Sequence, residues 1–144
     1  AGRSAEKLYA EAKADTEAIV KDFDVRIPSI NVTSGSLSGG NQQKLIVGRE
    51  MHHAPRVLIA AHPTRGVDVG AQASIWSIIK KARREGMAVL LISADLEELV
   101  GLSDTIRVIL RGGLSAPFDP DVVTREELGA AMTGADGHAK EDVQ

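Results

Sequence analysis

Leu37-Ser38-Gly39-Gly40-Asn41-Gln42-Gln43-Lys44 places a hydroxyl and two adjacent glycines at the beginning of a helix-forming run. A helix start leaves backbone N–H groups unpaired and carries a partial positive charge, so a phosphate can dock there if nothing blocks it. Ser38 adds a hydroxyl, and Gly39 and Gly40 lack the Cβ that would hold an oxyanion away. The same residues also describe an N-cap serine followed by two turn glycines that start a helix and bind nothing. Spacing alone leaves both readings open.

Upstream, Leu8, Ala12, Ile19, Val20 and Phe23 fall on one side of a helix over residues 4–23. Residues 24–35, with Pro28, Ser29, Asn31, Thr33 and Ser34, read as an irregular connector. The helix opened by Ser38 is predicted to run to about His53. Beyond Pro55, the continuous apolar run Val57-Leu58-Ile59-Ala60-Ala61 suits a strand buried on both faces of a parallel sheet. Ala71, Ile75, Ile78, Ile79 and Ala82 mark a third helix that closes near Gly86, and Ala88-Val89-Leu90-Leu91-Ile92 a second buried strand. Asp95-Leu96-Glu97-Glu98 reads as a capped helix start that carries Leu99 and Val100 inward. Residues 105–110 form a third strand, turned by Gly112-Gly113 into a partner over 114–118. Thr124-Arg125-Glu126-Glu127 is a capping box for a last helix reaching about Met132. Strands alternating with helices define an α/β fold with a parallel sheet. The expected organisation is a helical subdomain over 1–54, an α/β core over 55–133 and a flexible tail over 134–144.

Composition bounds the function. With 144 residues and 43% hydrophobic content, one modest core is expected, and at 3% aromatics it must be aliphatic. The absence of cysteine excludes disulfides and thiolate metal sites. A formal net charge of −3 gives no electrostatic reason to expect a nucleic-acid partner. No apolar run approaches the roughly 18 to 20 residues that span a bilayer.

Three blocks together carry a family resemblance. Leu37-Ser38-Gly39-Gly40 followed by Asn41-Gln42-Gln43-Lys44 resembles the signature motif of ABC-transporter ATPases, in the variant with Asn at the fifth place. Pro63-Thr64-Arg65-Gly66-Val67-Asp68-Val69-Gly70-Ala71 is similar to the family's segment after Walker B, with Asp68 at the D-loop aspartate. Val89-Leu90-Leu91-Ile92-Ser93-Ala94-Asp95-Leu96-Glu97-Glu98 resembles its strand and switch region. The wording is similar to bacterial importers of ribose, xylose, galactose and related sugars or nucleosides, in which one polypeptide carries two ATPase domains. The resemblance covers roughly residues 5 to 133 and implies the later part of the second domain. No Gly-x-x-x-x-Gly-Lys-Ser/Thr occurs in these residues. The resemblance therefore implies a partial P-loop NTPase, a fragment whose P-loop β-subdomain lies upstream.

The resemblance also exposes departures. The family's Walker B strand ends in Asp, which holds Mg²⁺ through water, and Glu, which polarises the attacking water; here those places hold Ala61 and His62. A methyl group cannot bind magnesium, and a neutral imidazole brings no negative charge to the metal. Ala94 stands at the switch histidine and removes a γ-phosphate contact. Taken singly, Ala61 and Ala94 are also ordinary packing residues, and His62 an ordinary polar residue at a strand end.

In the family's head-to-tail dimer, each ATP lies between one domain's P-loop and the other domain's signature segment. The resemblance thus implies that Ser38, Gly39, Gly40 and Asn41 serve an ATP held in trans, with Asp68 at the dimer seam, although Asp68 is equally an N-cap for the helix at Val69. ATP with Mg²⁺ is expected in the full-length dimer and no cofactor in the isolated chain, which should neither bind ATP tightly nor hydrolyse it. The implied partners are another ABC ATPase domain, an integral membrane permease and, indirectly, a solute-binding protein, with the subunit peripheral on the cytoplasmic face of the membrane. The alternative is a non-transport regulatory or interaction module built on such a domain. Adjacent His52 and His53 point about 100° apart on a helix and are poorly placed to share a metal. Lys80-Lys81-Ala82-Arg83-Arg84 reads as a solvated helix end suited to the dipole, and Trp76 as a packing residue.

Overall fold

Ser4 caps the first helix, α1 (Ala5–Asp22), its Oγ accepting from the Lys7 N–H at 3.3 Å. The computed structural model describes residues 4–135, in two compact units that divide between Leu90 and Leu91.

In the first unit, α1 buries Ile19 and ends at Phe23, and the chain turns at Asp24, a non-glycine residue with φ +50°. The connector holds a single 3₁₀ turn, Ser34–Ser36, before α2 (Gly39–Met51). The two helices approach closely at Gly48: a methyl there would lie 2.7 Å from Ile19 Cγ2 and 2.9 Å from the Phe23 ring. Only glycine admits that contact.

Strand β1 (Val57–Ala61) follows as the sequence predicts, but its burial alternates. Leu58 and Ala60 are buried, whereas Val57 is 58% and Ile59 66% exposed. The expectation of a strand covered on both faces is therefore corrected. Among the described residues the parallel sheet holds two strands, β1 and β2 (Ala88–Ile92), and only one face of β1 is covered. The Ala88 N–H donates to the Arg56 carbonyl at 3.0 Å where the strands begin to pair. Between them runs α3 (Val69–Arg84), which buries Ala71, Ile75, Ile79 and Ala82 at helical spacing and stops at Glu85 before Gly86, φ +96°.

The second unit starts within β2. Asp95 Oδ1 accepts from the N–H groups of Glu97 and Glu98, at 2.9 and 3.2 Å, and opens α4 (Leu96–Leu102). This helix buries Glu98 and Leu102; Val100, expected inward, is exposed. A seven-residue helix presents less than two turns, so the choice of face rests on one or two contacts that periodicity cannot resolve. The third strand is also shorter than expected and lies outside the parallel sheet: β3 (Ile109–Leu110) pairs antiparallel with β4 (Gly113–Leu114). The connecting Arg111 and Gly112 both have positive φ, +50° and +82°, as a two-residue type I′ turn requires. Upstream, the Val108 N–H donates to the Ser115 hydroxyl at 2.9 Å, and the ladder continues only as an isolated Ile106–Phe118 bridge.

The expected capping box is present at α5 (Arg125–Thr133): Thr124 Oγ1 accepts from the Glu127 N–H at 3.1 Å, and Glu127 Oε2 accepts from the Thr124 N–H at 2.8 Å. Leu128, wholly buried, joins Ile106 and Val108 in a cluster packed by Leu96, Leu99, Phe118 and Met132. Apart from Gly134 and Ala135, the tail expected over 134–144 lies outside the described residues.

Candidate functional site

Ser38 is the N-cap of α2, with extended backbone (φ −60°, ψ 153°) and an exposed side chain position. Its Oγ accepts from the Asn41 N–H at 3.4 Å and from Asn41 Nδ2 at 3.0 Å. The other end of the Asn41 side chain is also engaged, Oδ1 accepting from the Arg26 N–H in the connector at 2.8 Å. Gln42 Nε2 donates back to the Leu37 carbonyl at 2.8 Å, and the Gln42 N–H donates to the Ser38 carbonyl at 2.9 Å. The first turn of α2 is thus stitched to the segments on both sides of it.

Lys44, one turn further on, is 8% exposed and donates from Nζ to both the Asp24 carboxylate and the Asp24 carbonyl, each at 3.1 Å. The hydrogen bond from Lys44 and its charge hold the Asp24 carboxyl below its ordinary value, against the opposing effect of desolvation and with help from Arg26. Sequence reasoning missed this pair and the Asn41–Arg26 bond, because both join residues 15 to 20 positions apart. A signal existed: Gly40, Lys44, Val47 and Gly48 share the buried stripe of α2, and a lysine on such a stripe needs a partner.

The two glycines do different things. Gly40 is buried, and a methyl on it would stand 2.7 Å from Ala71 Cβ and 3.4 Å from Asp68 Oδ2. Gly39 is exposed, and a methyl there would make an ordinary 3.5 Å contact with the Gly66 carbonyl. Gly40 therefore serves the close approach of α2 to the start of α3. Asp68 caps α3, Oδ1 accepting from the Ala71 N–H at 2.9 Å. The fold thereby brings Ser38, Gly39 and Gly40 beside Gly66 and Asp68, segments the sequence separates by about two dozen residues.

Ala61 and His62 end β1 and are both exposed. His62 has φ +49°, and its carbonyl accepts from the Arg65 N–H at 3.1 Å to open the turn that passes through Gly66. Ala94, exposed, belongs to the second unit, where it lies in the turn made by the Asp95 N–H donating to Ser93 Oγ at 3.0 Å. Neither Ala61 nor Ala94 offers a side-chain oxygen to a cation, and no group of three or more His, Asp or Glu side chains among the described residues is arranged to hold a metal. Alanine side chains do not fit a magnesium ion. His52 instead meets Asp15, Nε2 to Oδ1 at 3.3 Å, and lies with His53 at a ring-centroid distance of 5.0 Å. No helix among the described residues is long and apolar enough to cross a membrane.

A parallel β–α–β unit with a Ser-Gly-Gly helix start packed beside the loop after its first strand defines part of a nucleotide-binding α/β domain. The chain is 40% identical over 132 residues to the ribose import ATP-binding protein RbsA of Yersinia pestis, covering 91% of this chain and 26% of that protein. It is 43% identical over 129 residues to the guanosine import ATP-binding protein NupO of Bacillus subtilis, covering 90% and 24%. With the glucose import ATP-binding protein TsgD13 of Haloferax volcanii it shares 47% identity over 128 residues, covering 88% and 23%. Among solved structures, an inward-facing metal-chelate type ABC transporter superposes with a TM-score of 0.70 at 15% identity, covering 92% of this chain and 52% of that one. A dimeric ATP-binding cassette in a post-hydrolysis state, bound to ADP and Pi, superposes with a TM-score of 0.66 at 20% identity, covering 83% and 50%. No family model matches the chain. The chain belongs to the ABC-transporter ATPases. It spans about a quarter of the length of the curated relatives it matches.

Proposed function

We propose that this chain is part of the ATP-binding subunit of an ABC importer for simple sugars or nucleosides, and that its signature helix completes the ATP site of a partner ATPase domain. The observation that carries the reading is the contrast between an intact signature start at Ser38, with the Ser38 position exposed, and alanine and histidine at the Walker B end of β1. Ser38 and the backbone around Gly39 serve the partner's nucleotide. Gly40 and Asp68 set the seating of that helix start against the loop after β1. The chain's own site, with Ala61 and His62 in place of the groups that position magnesium and water, does not turn over. ATP with Mg²⁺ bound across the dimer supplies the phosphoryl-transfer chemistry. The subunit works against a membrane permease on the cytoplasmic face, with solute delivered by a binding protein.

The relatives support the transported class, since each is named as an import ATP-binding protein for a sugar or a nucleoside. The test is Ser38→Arg in the full-length subunit assembled with its permease. A long cation at the cap obstructs the nucleotide, so steady-state ATPase activity and solute uptake should fall by about 10²-fold or more, the scale on which a lost oxyanion donor is felt. Unchanged turnover removes the in-trans assignment.

A further inference from the structure

The hydrogen-bond polarity around Asn41 has a direction. The Arg26 backbone N–H can only donate, so the Asn41 atom that faces it at 2.8 Å is the carbonyl Oδ1. The opposite end of the amide is then Nδ2, which also can only donate, and it faces Ser38 Oγ at 3.0 Å. The Asn41 backbone N–H donates to the same oxygen at 3.4 Å. A serine hydroxyl has two lone pairs and one hydrogen. With both lone pairs taken from within the turn, the hydrogen must point away from it.

We propose that Asn41 is a positioning residue that makes the Ser38 hydroxyl an outward donor, matched to an anionic oxygen. This rests on the reading of Ser38 as a ligand of the partner's nucleotide and deepens it. Asn41, expected from the sequence to touch the nucleotide itself, acts through Ser38. The connector residue Arg26 contributes through its backbone alone, so its side chain is free to vary without loss of the effect. The polarity runs one way, from the Arg26 amide through the Asn41 side chain to the Ser38 oxygen, and it rejects a neutral or cationic donor at that position.

Asn41→Asp tests the direction of that relay. A carboxylate still accepts from the Arg26 N–H, but its second oxygen cannot donate, so it draws the Ser38 hydrogen inward. The experiment is a double-mutant cycle on the full-length subunit assembled with its permease, reading kcat, KM for ATP and the melting temperature for Ser38→Ala, Asn41→Asp and the pair. The expected result is a fall in kcat of about 10²-fold in Asn41→Asp, comparable to Ser38→Ala, with the melting temperature unchanged. The double variant should fall no lower than the deeper single one. An added negative charge that merely repelled phosphate would act equally without the hydroxyl, so additive losses overturn the proposal. So does an Asn41→Asp protein with wild-type kcat. If Asn41→Asp does not fold, the cycle is run with Asn41→Ala, which leaves the hydroxyl free to rotate; a smaller loss that vanishes in the Ser38→Ala background supports the relay, and additivity overturns it. An unchanged kcat in Ser38→Ala alone overturns the parent reading, and this inference with it.

Discussion

The first turn of α2 and the last residues of β1 lie in the same compact unit, yet they are held in opposite ways. At the helix start, side chains do the holding: Asn41 bonds to Ser38 and to the Arg26 amide, Gln42 to the Leu37 carbonyl and Lys44 to Asp24, and Gly40 is pressed against Ala71. At the strand end, Ala61 and His62 are exposed, and the turn is made by backbone, from the His62 carbonyl to the Arg65 N–H. On the proposed reading, a helix start that serves another domain needs its side-chain network, because that network sets the position of one hydroxyl. On the same reading, a strand end without metal-binding side chains needs only to turn the chain. The difference teaches that one compact unit can seat a helix start with side chains and turn a strand end with backbone alone.

The largest effect expected from disturbing this contrast is at Gly40. A methyl 2.7 Å from Ala71 Cβ forces α2 off α3, and overpacking of this kind costs about 1–3 kcal/mol. Gly39→Ala, whose methyl meets only the Gly66 carbonyl at 3.5 Å, should stay within about 0.5 kcal/mol of wild type. Denaturant unfolding of the two variants in the full-length subunit measures the pair. Equal losses would mean that the helix start is not seated by Gly40, and the contrast with the strand end would fail. In turnover the order reverses in cause: Gly39→Ala should lower ATPase activity without loss of stability, because it is the exposed glycine whose missing Cβ leaves room for the nucleotide.

A smaller effect, with a pH signature, is expected at Lys44. The Asp24 carboxyl is held below its ordinary value of 3.8 by Lys44, so the folded state binds fewer protons than the unfolded one just below that value. The stability this pair supplies is fully present above 3.8 and is lost as pH falls through the depressed folded value. Lys44→Met keeps apolar volume in the buried stripe and removes the cation. The variant should melt lower than wild type at neutral pH, and the gap should narrow as pH drops below about 4. Thermal melts from neutral pH to about pH 2.5 test this. A gap constant across the range would place the role of Lys44 in packing alone.

Much of this was legible before any coordinates. Strand β1 and strand β2 fall where the apolar runs Val57-Leu58-Ile59-Ala60-Ala61 and Ala88-Val89-Leu90-Leu91-Ile92 put them, and the caps Ser38, Asp68, Asp95 and Thr124 were each readable because capping is chemistry between residues two to four apart. What failed was burial and pairing. The apolar run of β1 announces two covered faces, but coverage depends on which strands and helices are present, and Val57 and Ile59 stand exposed. The β3–β4 hairpin was readable from the glycine pair at 112–113, but its strands are shorter than expected, since Ser115 takes the Val108 amide through a side chain, an event no period records. At the site, the signature residues could be named from their order, while the Arg26–Asn41–Ser38 relay could not, since half of it is a backbone amide in a connector without pattern.

The smallest effect lies at His62 and decides whether the strand end is held by backbone alone. A non-glycine residue at φ +49° carries strain, and asparagine tolerates that region better than most residues because its short polar side chain bonds locally. If the imidazole contributes nothing to the fold, His62→Asn should be neutral or stabilise by a few tenths of a kcal/mol, roughly the size of ordinary surface changes. His62→Val, β-branched, should instead cost about 1–2 kcal/mol on the same backbone. That ordering, Asn above His above Val in denaturant unfolding, is what a backbone-held turn requires. A clear loss in His62→Asn would show that the imidazole itself holds the turn, and the strand end would then resemble the helix start in being built from side chains. The ordering also bears on any attempt to place acid chemistry there: His62→Glu puts a longer side chain on a backbone at positive φ, so Ala61→Asp with His62→Glu must work against the same turn that now tolerates histidine.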